Sequence, residues 1–202
     1  MSKVFWNKYY DLQNSPFNNS PFSSFVIKKI EKDKSLLDVG CGNGRDSIFF
    51  SDKKIKTTGI DYSDIAISNL KKYENSYLKF TLADIENINS SLGTIKFDYA
   101  YCRFLLHSID ELAEQALFKW MSENIVQYIF IETRIEEDLK NVKNQQHFRR
   151  SINPEKLKKL INVSKFNILF WQISEKFSPY NPDYKVDDIT TDPTLLRIVA
   201  SK

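Results

Sequence analysis

The sequence predicts one α/β domain organised around a parallel β-sheet, and two observations support this fold class. Apolar runs of strand length alternate with segments of helical periodicity from residue 35 to residue 132. Three of the five glycines fall together at positions 40, 42 and 44, directly after the first of these runs. The chain has 202 residues, of which 42% are hydrophobic, so it can build the core of one such domain but hardly of two.

The predicted elements follow one another closely along the chain. An aromatic-rich segment at 5–10 and a turn-rich segment at 14–21 come first, and a short amphipathic helix follows over 22–30. Another helix is expected to open with Asn153 as its cap and Pro154 in its first turn. Strands are expected at residues 36–39, 57–60, 78–82, 97–102, 128–132, 166–173 and 195–200, and further helices around 47–50, 65–70 and 112–121.

Composition excludes several classes of protein. No apolar run approaches the ~20 residues that a membrane-spanning helix needs, and the first residues lack the apolar region of a signal peptide. Two cysteines cannot form a disulfide framework, so we expect a protein of the reducing cytoplasm. A net charge of +3 is too small to indicate nucleic acid by itself. The two histidines, His107 and His147, lack metal-ligand spacing, and we expect no metal site.

The glycine cluster is the first candidate for a binding site. Gly40, Gly42 and Gly44 lie between a predicted strand and a predicted helix, where backbone without side chains lets a ligand approach closely. A dinucleotide fingerprint would place its third glycine one residue later, where this chain has Arg45. Asp38, near the end of the strand, would repel a pyrophosphate. The loop therefore favours a ligand with an amino group or a sulfonium centre over a nicotinamide dinucleotide.

Two more acids follow the next two predicted strands. Asp61 comes after the second strand, where a carboxylate can accept hydrogen bonds from both hydroxyls of a ribose. Asp84 comes after the third strand, where a carboxylate can meet the amino group of an adenine. The alternatives are a helix cap at Asp61 and an ordinary surface turn at Asp84. Because Asp38, Asp61 and Asp84 end successive strands, we expect them at the same edge of the sheet.

On these residues the chain resembles the class I S-adenosylmethionine-dependent methyltransferases. The stretches LDVGCGNGRD, TGIDYS and LADIEN are similar to the three cofactor motifs of that family. The resemblance implies a Rossmann-like seven-stranded sheet of order 3-2-1-4-5-7-6, with strand 7 antiparallel and helices on both faces. It implies S-adenosylmethionine as cofactor and S-adenosylhomocysteine as product. The implied cofactor-binding residues are Asp38, Gly40 and Gly42 for the methionine part, Gly44 in the same loop, Asp61 for the ribose, and Tyr62, Asp84 and Ile85 for the adenine.

The resemblance also places the reacting group beside the loop after the fourth strand. That loop holds Arg103 and His107, which are four residues apart and would share one face of a helical turn. We predict both as catalytic residues. His107 either removes a proton from an acceptor hydroxyl or makes a hydrogen bond to the backbone or the cofactor. Arg103 either clamps an anionic group or covers apolar surface.

Further arginines favour a small anionic acceptor. Arg134, at the end of the fifth strand, and Arg149 and Arg150, which follow His147, have the planar fork that binds phosphate or carboxylate in bidentate fashion. The alternative for the latter run is a solvated helix start. The chain has neither the Asn/Asp-Pro-Pro-aromatic motif of many nitrogen methyltransferases nor a Pro-Cys nucleophile. We therefore expect a small-molecule acceptor rather than nucleic acid.

The three parts of the chain receive separate predicted roles within a single domain of residues 1–202. Residues 1–34 form a lid in which Tyr9 and Tyr10 contact the acceptor, 35–132 bind the cofactor, and 133–202 hold acceptor-side residues and the last strands.

The chain is also similar to small methyltransferases encoded with surface-polysaccharide genes of the Campylobacter type. The predicted reaction is methyl transfer to an oxygen of an anionic, nucleotide-linked or sugar-linked acceptor, such as a capsular sugar or phosphoramidate. The alternatives are a cofactor-binding module without chemistry and an N-methyltransferase of a small metabolite. The oligomeric state stays open.

Overall fold

A seven-stranded sheet forms the centre of the protein, for which a computed structural model describes residues 3–12, 18–135, 148–177 and 193–202. The order is β3-β2-β1-β4-β5-β7-β6, so the order predicted from the family resemblance is confirmed. Strands β1 to β5 pair with one another in parallel, and β7 is antiparallel to both β5 and β6. The strands are β1 (Ser35–Val39), β2 (Lys56–Asp61), β3 (Leu78–Leu82), β4 (Phe97–Arg103), β5 (Ile125–Arg134), β6 (Asn167–Ser174) and β7 (Leu195–Ser201).

The helices begin where the sequence offers a capping side chain. Ser63 and Asp110 each accept a hydrogen bond from a backbone N–H in the first turn of the helix that follows. The side chain of Asn153 accepts from the N–H groups of Glu155 and Lys156, which confirms the predicted helix start there. The α-helices in the described ranges are α1 (Lys3–Leu12), α2 (Pro21–Val26), α3 (Arg45–Asp52), α4 (Asp64–Leu70), α5 (Ile88–Leu92), α6 (Glu111–Asn124) and α7 (Pro154–Val163).

Helices cover both faces of the sheet, as predicted. Successive residues of a strand point to opposite faces, so Leu37 of β1 joins one apolar cluster and its neighbour Leu36 joins another. The first cluster takes side chains from α5, α6 and α7, and the second takes them from α2 and α3. Within the part of the chain that the structure describes, no helix combines the length and the apolar character needed to cross a membrane.

Helix α1 is the main element that our sequence analysis did not assign. It packs beside α4, where Asn7 donates to Asp64 (2.7 Å) and accepts from the Ser63 hydroxyl (2.7 Å). The signal was present, because the aromatic residues at 5 and 9 and at 6 and 10 are spaced by one helical turn. Residues 1–2 and 13–17 of the predicted lid lie outside the described residues, as do 136–147 and 178–192 of the predicted acceptor-side region.

Candidate active site

The loop between β1 and α3 turns sharply at its three glycines. Gly40, Gly42 and Gly44 have φ angles of +73°, +56° and +76°, in the left-handed region that favours glycine. A Cβ atom on Gly42 would lie 2.6 Å from the hydroxyl of Tyr10, which belongs to α1. The N–H groups of Gly40 and Cys41 both donate to the carbonyl of Ile60, at 2.8 and 2.9 Å, and fix the loop over the end of β2.

The carboxylate of Asp61 joins this loop to the end of β2. One oxygen accepts from the N–H of Gly42 and the other from the N–H of Ser63, both at 2.9 Å. Burial raises the pKa of Asp61 above its ordinary value, and these backbone donors act against that rise. Each oxygen of a carboxylate has two lone pairs, so the oriented group can still accept hydrogen bonds from a ligand. The helix cap itself is Ser63.

Asp38 lies beneath the loop and is 2% exposed. The hydroxyl of Ser47 in α3 donates to its carboxyl at 2.5 Å. Burial raises the pKa of Asp38 to about 8, assisted by the negative charges of Asp46 and Asp61, although the Ser47 hydrogen bond counteracts the rise. Asp38 therefore joins the end of β1 to α3, and its burial favours the protonated form of the carboxyl.

A cleft of about 470 Å³, its open mouth included, lies over the loop at the carboxyl ends of the strands. Its roof comes from α1 through Trp6 and Tyr10, and Asp61 supplies an acid. These features suit S-adenosylmethionine, because an acid is available for ribose hydroxyls and apolar side chains for a flat ring. The residues lining the cleft are Trp6, Tyr10, Gly40, Ile60, Asp61, Tyr62, Ala83, Ile85, Phe104, Leu105 and Ser108.

Four of the predicted cofactor-binding residues do not line the cleft. Gly44 is the capping residue before α3, and a Cβ atom there would lie 2.5 Å from the side chain of Leu70, so this glycine lets α3 and α4 pack closely. Asp84 is half-buried beside the lining residue Ile85, and its carboxylate accepts from the N–H of Glu86 at 3.0 Å. Asp38 and Gly42 support the loop as described. The predicted residues Gly40, Asp61, Tyr62 and Ile85 are brought together on the cleft wall.

Phe104 is a site residue that our sequence analysis missed. It follows β4 directly, lines the cleft, and has a φ of +56°, which is rare for an aromatic residue. Its N–H donates to the carbonyl of Glu132 at 2.9 Å. The guanidinium groups of Arg103 and Arg134 lie 3.9 and 5.6 Å from its ring centroid, and the His107 ring lies edge-on at 6.0 Å. Three of the predicted acceptor-side residues thus surround one aromatic ring.

Arg103 has a different setting from the predicted one. It ends β4, and the left-handed turn at Phe104 separates it from the 3₁₀ turn that contains His107. The prediction that Arg103 and His107 share one helical face is therefore wrong. Arg103 donates through Nε to Glu132 at 2.9 Å, and the other Glu132 oxygen accepts from Nε of Arg197 at 2.5 Å. Glu132 is fully buried, and a buried negative charge needs a positive charge beside it. We therefore assign Arg103 and Arg197 mainly to balancing the charge of Glu132.

A second buried polar group lies on the same face of the sheet. Asp46 of α3 accepts from the N–H and the hydroxyl of Ser20, at 2.7 and 2.8 Å, and from the Tyr101 hydroxyl at 2.7 Å. Burial alone would raise the pKa of Asp46, but Arg103, Arg45 and these hydrogen bonds hold it below its ordinary value. The ionised carboxylate thereby ties the start of α2 to α3 and β4. No sequence motif indicated these contacts.

The remaining predicted acceptor residues lie at the margin of the cleft or away from it. Arg150 donates through Nε to the carbonyl of Ile109 (2.7 Å), pairs with Glu114 (2.7 Å), and lines a separate cavity between α6 and α7. We therefore assign Arg150 a structural role, and the prediction that it lies in the acceptor cavity is wrong. Arg149 beside it is half-buried, and Tyr9 packs against Tyr10 at 5.0 Å without lining the cleft. His147 lies outside the described residues.

Comparisons with known proteins agree with this geometry. A family model described as a methyltransferase domain matches residues 18–172, which is about three quarters of the chain. No curated protein sequence matches significantly. A S-adenosylmethionine-dependent methyltransferase from Methanosarcina mazei has a similar structure, with a TM-score of 0.70 and 16% identity over 92% of this chain and 99% of that one.

Two further solved structures have the same fold and contain S-adenosylhomocysteine. The Burkholderia thailandensis 1,6-didemethyltoxoflavin N1-methyltransferase gives a TM-score of 0.66 at 16% identity, covering 90% of this chain and 76% of that one. The magnesium protoporphyrin IX methyltransferase from Synechocystis gives 0.67 at 13% identity, covering 90% and 79%. These likenesses show the Rossmann-like fold, and the family match shows that the chain belongs to the methyltransferase domain family.

Proposed function

We propose that this protein transfers a methyl group from S-adenosylmethionine to an oxygen of a small acceptor that is anionic or sugar-linked. S-adenosylmethionine is the cofactor, and when bound it supplies an electrophilic methyl group on a positively charged sulfur. The finer proposal, that the acceptor is a precursor of surface polysaccharide, is supported by the sequence resemblance given above. Catalysis would come mainly from positioning the two reactants.

The cofactor half of the proposal is supported by the walls of the cleft. Asp61, held by two backbone N–H groups, is the acceptor proposed for the ribose hydroxyls. Gly40 offers bare backbone to the methionine part, and Tyr62 and Ile85 offer flat and apolar surface to the adenine. Trp6 and Tyr10 of α1 cover the same cleft, which supports the proposed lid.

The observation that carries the acceptor half is the pair of guanidinium groups against the ring of Phe104. Phe104 lines the cleft, so a cation beside it stands next to the proposed reacting centre. Arg103 is held in the buried pair with Glu132, and we propose Arg134, whose guanidinium lies 5.6 Å from the ring centroid of Phe104, as the contact for an anionic acceptor. Arg149 is a second proposed contact.

His107 is proposed to handle the proton when the acceptor is a hydroxyl. Its ring packs on Phe104, and its carbonyl accepts from the N–H of Arg150 at 2.8 Å, which fixes the turn that contains it. The acceptor oxygen would form a bond to the methyl carbon as the bond from that carbon to sulfur breaks, which leaves S-adenosylhomocysteine, and the hydroxyl proton would pass to the imidazole. A phosphate oxygen carries no proton to remove and needs no such base.

The test measures release of S-adenosylhomocysteine with a sugar phosphate, a nucleotide sugar, a neutral sugar and a small amine as acceptors. We expect turnover with an anionic acceptor, and Arg134→Lys should raise its KM by roughly tenfold, as for the loss of ~1.5 kcal/mol from one charge-assisted hydrogen bond. The matched variant Arg150→Lys should leave KM unchanged. Equal KM values for Arg134→Lys and the parent would refute the anionic contact.

Two other functions would give distinct results in the same assay. A module without chemistry would bind S-adenosylhomocysteine in calorimetry but show no turnover with any acceptor. An N-methyltransferase would methylate the amine, and mass spectrometry of the product would locate the new methyl group on nitrogen.

A further inference from the structure

Ser108 lines the cleft but belongs to none of the three cofactor motifs. It is the last residue of the 3₁₀ turn Leu106–Ser108, is 3% exposed, and its N–H donates to the carbonyl of Leu105 at 2.8 Å. The turn is held firmly, because Leu105 and Leu106 pack into the large apolar cluster. The backbone of this turn thus fixes the side chain of Ser108 at the cleft wall.

The hydroxyl of Ser108 has no hydrogen-bond partner within the part of the chain that the structure describes. Its oxygen is buried, so bulk water does not satisfy it either. Buried hydroxyl groups in folded proteins nearly always have a partner, since leaving one unsatisfied is costly. A polar group that is buried, fixed and at the wall of a cleft indicates a partner supplied by the ligand.

The residues around Ser108 indicate which part of the cofactor its hydroxyl would contact. Leu105 and Leu106 share one apolar cluster with Ala83 and Ile85, the residues that follow β3 and line the cleft. Ile85, Leu105 and Ser108 line the same cleft, so a flat ring packed there on Ile85 can present its edge to the turn that contains Ser108. A purine edge carries an amino donor and ring-nitrogen acceptors, and a hydroxyl can serve either.

We propose that Ser108 binds the edge of the adenine ring of S-adenosylmethionine and so acts as a further cofactor-binding residue. The inference concerns the cofactor alone and does not depend on the identity of the acceptor. It can be tested by binding, without turnover, and its failure would leave the proposed acceptor chemistry untouched.

The experiment uses calorimetry with two probes, S-adenosylhomocysteine and 5′-methylthioadenosine, which keeps the adenosine but lacks the amino-acid end. Ser108→Ala should weaken both probes by the same factor, roughly fivefold to tenfold, as expected for the loss of one hydrogen bond. The melting temperature of the ligand-free variant should be unchanged or higher, because the substitution removes a hydroxyl that had no partner.

Ser23→Ala is the matched control. Ser23 is fully buried, but its hydroxyl donates to the carbonyl of Ser20 at 2.9 Å and it does not line the cleft. This control should lower the melting temperature and leave both affinities unchanged. The proposal is overturned if Ser108→Ala leaves both affinities unchanged, weakens S-adenosylhomocysteine alone, or lowers the melting temperature of the ligand-free protein as Ser23→Ala does.

Discussion

Asp38→Asn should change how the stability of the ligand-free protein depends on pH. Burial raises the pKa of Asp38 to about 8, whereas the same carboxyl in an unfolded chain titrates near ~3.9. Between these two pH values the folded protein holds one more proton than the unfolded chain. The contribution of Asp38 to stability is therefore fully present below about pH 4 and is lost as pH rises toward 8, at about 1.4 kcal/mol per pH unit.

The isosteric asparagine has no proton to lose, so the variant lacks this slope. The folded and unfolded pKa values differ by about four, which corresponds to roughly 4–7 kcal/mol over the whole window, a large part of the stability of an ordinary domain. Urea unfolding of the ligand-free proteins at pH 5.5 to 9 gives the two free energies of unfolding. Their difference, variant minus parent, should grow with pH up to about 8 and then level off.

Asp98→Asn provides the matched control. The pKa of Asp98 lies below its ordinary value despite partial burial, because the backbone and hydroxyl of Ser35 donate to its carboxylate. It is ionised in both states above pH 5.5, so the difference in stability between this variant and the parent should not depend on pH in that range. A constant difference for Asp38→Asn would refute the reasoning, since it would mean that Asp38 is ionised in the folded protein.

Three further predictions concern the cleft. Asp61→Ala should weaken S-adenosylhomocysteine by about 1.5–3 kcal/mol in calorimetry, because a carboxylate proposed to bind both ribose hydroxyls is lost, and unchanged affinity would remove Asp61 from the site. Gly42→Ala should also weaken binding, since the new Cβ would lie 2.6 Å from the Tyr10 hydroxyl. Adding Tyr10→Phe removes that hydroxyl and should restore part of the affinity. If it restores none, backbone strain at residue 42 causes the loss. Bound S-adenosylhomocysteine should slow proteolysis of α1. The variant Asn7→Ala loses the hydrogen bonds to Asp64 and Ser63 and should reduce that protection. Equal cleavage rates with and without the ligand would contradict a lid.

The sheet and the glycine loop could be predicted because their signals are local in the sequence. Strands β1 and β4 read as short apolar runs, and the positions of Gly40, Gly42 and Gly44 directly mark a turn that needs positive φ angles. The strand order came from the resemblance to a family, since local patterns do not state which strands pair. The helix start at Asn153 was also predictable, because the capping Asn153 and the following Pro154 are neighbours in the sequence.

The surroundings of Phe104 could not be predicted because they depend on residues far apart in the chain. Arg103 meets Glu132 across neighbouring strands, and Glu132 meets Arg197, which is 65 positions further on. The sequence shows three charged residues of suitable type but not that they neutralise one another. This pairing is why Arg103, expected to hold an acceptor, serves the interior of the sheet.

The order of the strands also bears on how the protein completes its folding during synthesis. β7 lies between β5 and β6 in the sheet, although it is made after β6. Until β7 leaves the ribosome, β6 lacks its partner among the strands that the structure describes, the edge of β5 that pairs with β7 stays open, and Glu132 lacks its contact with Arg197. A nascent chain stalled before residue 195 would therefore expose unpaired strand edges, which are surfaces through which chains aggregate. Pairing of β7 with β5 and β6 covers these edges, so it lowers the risk of aggregation during synthesis.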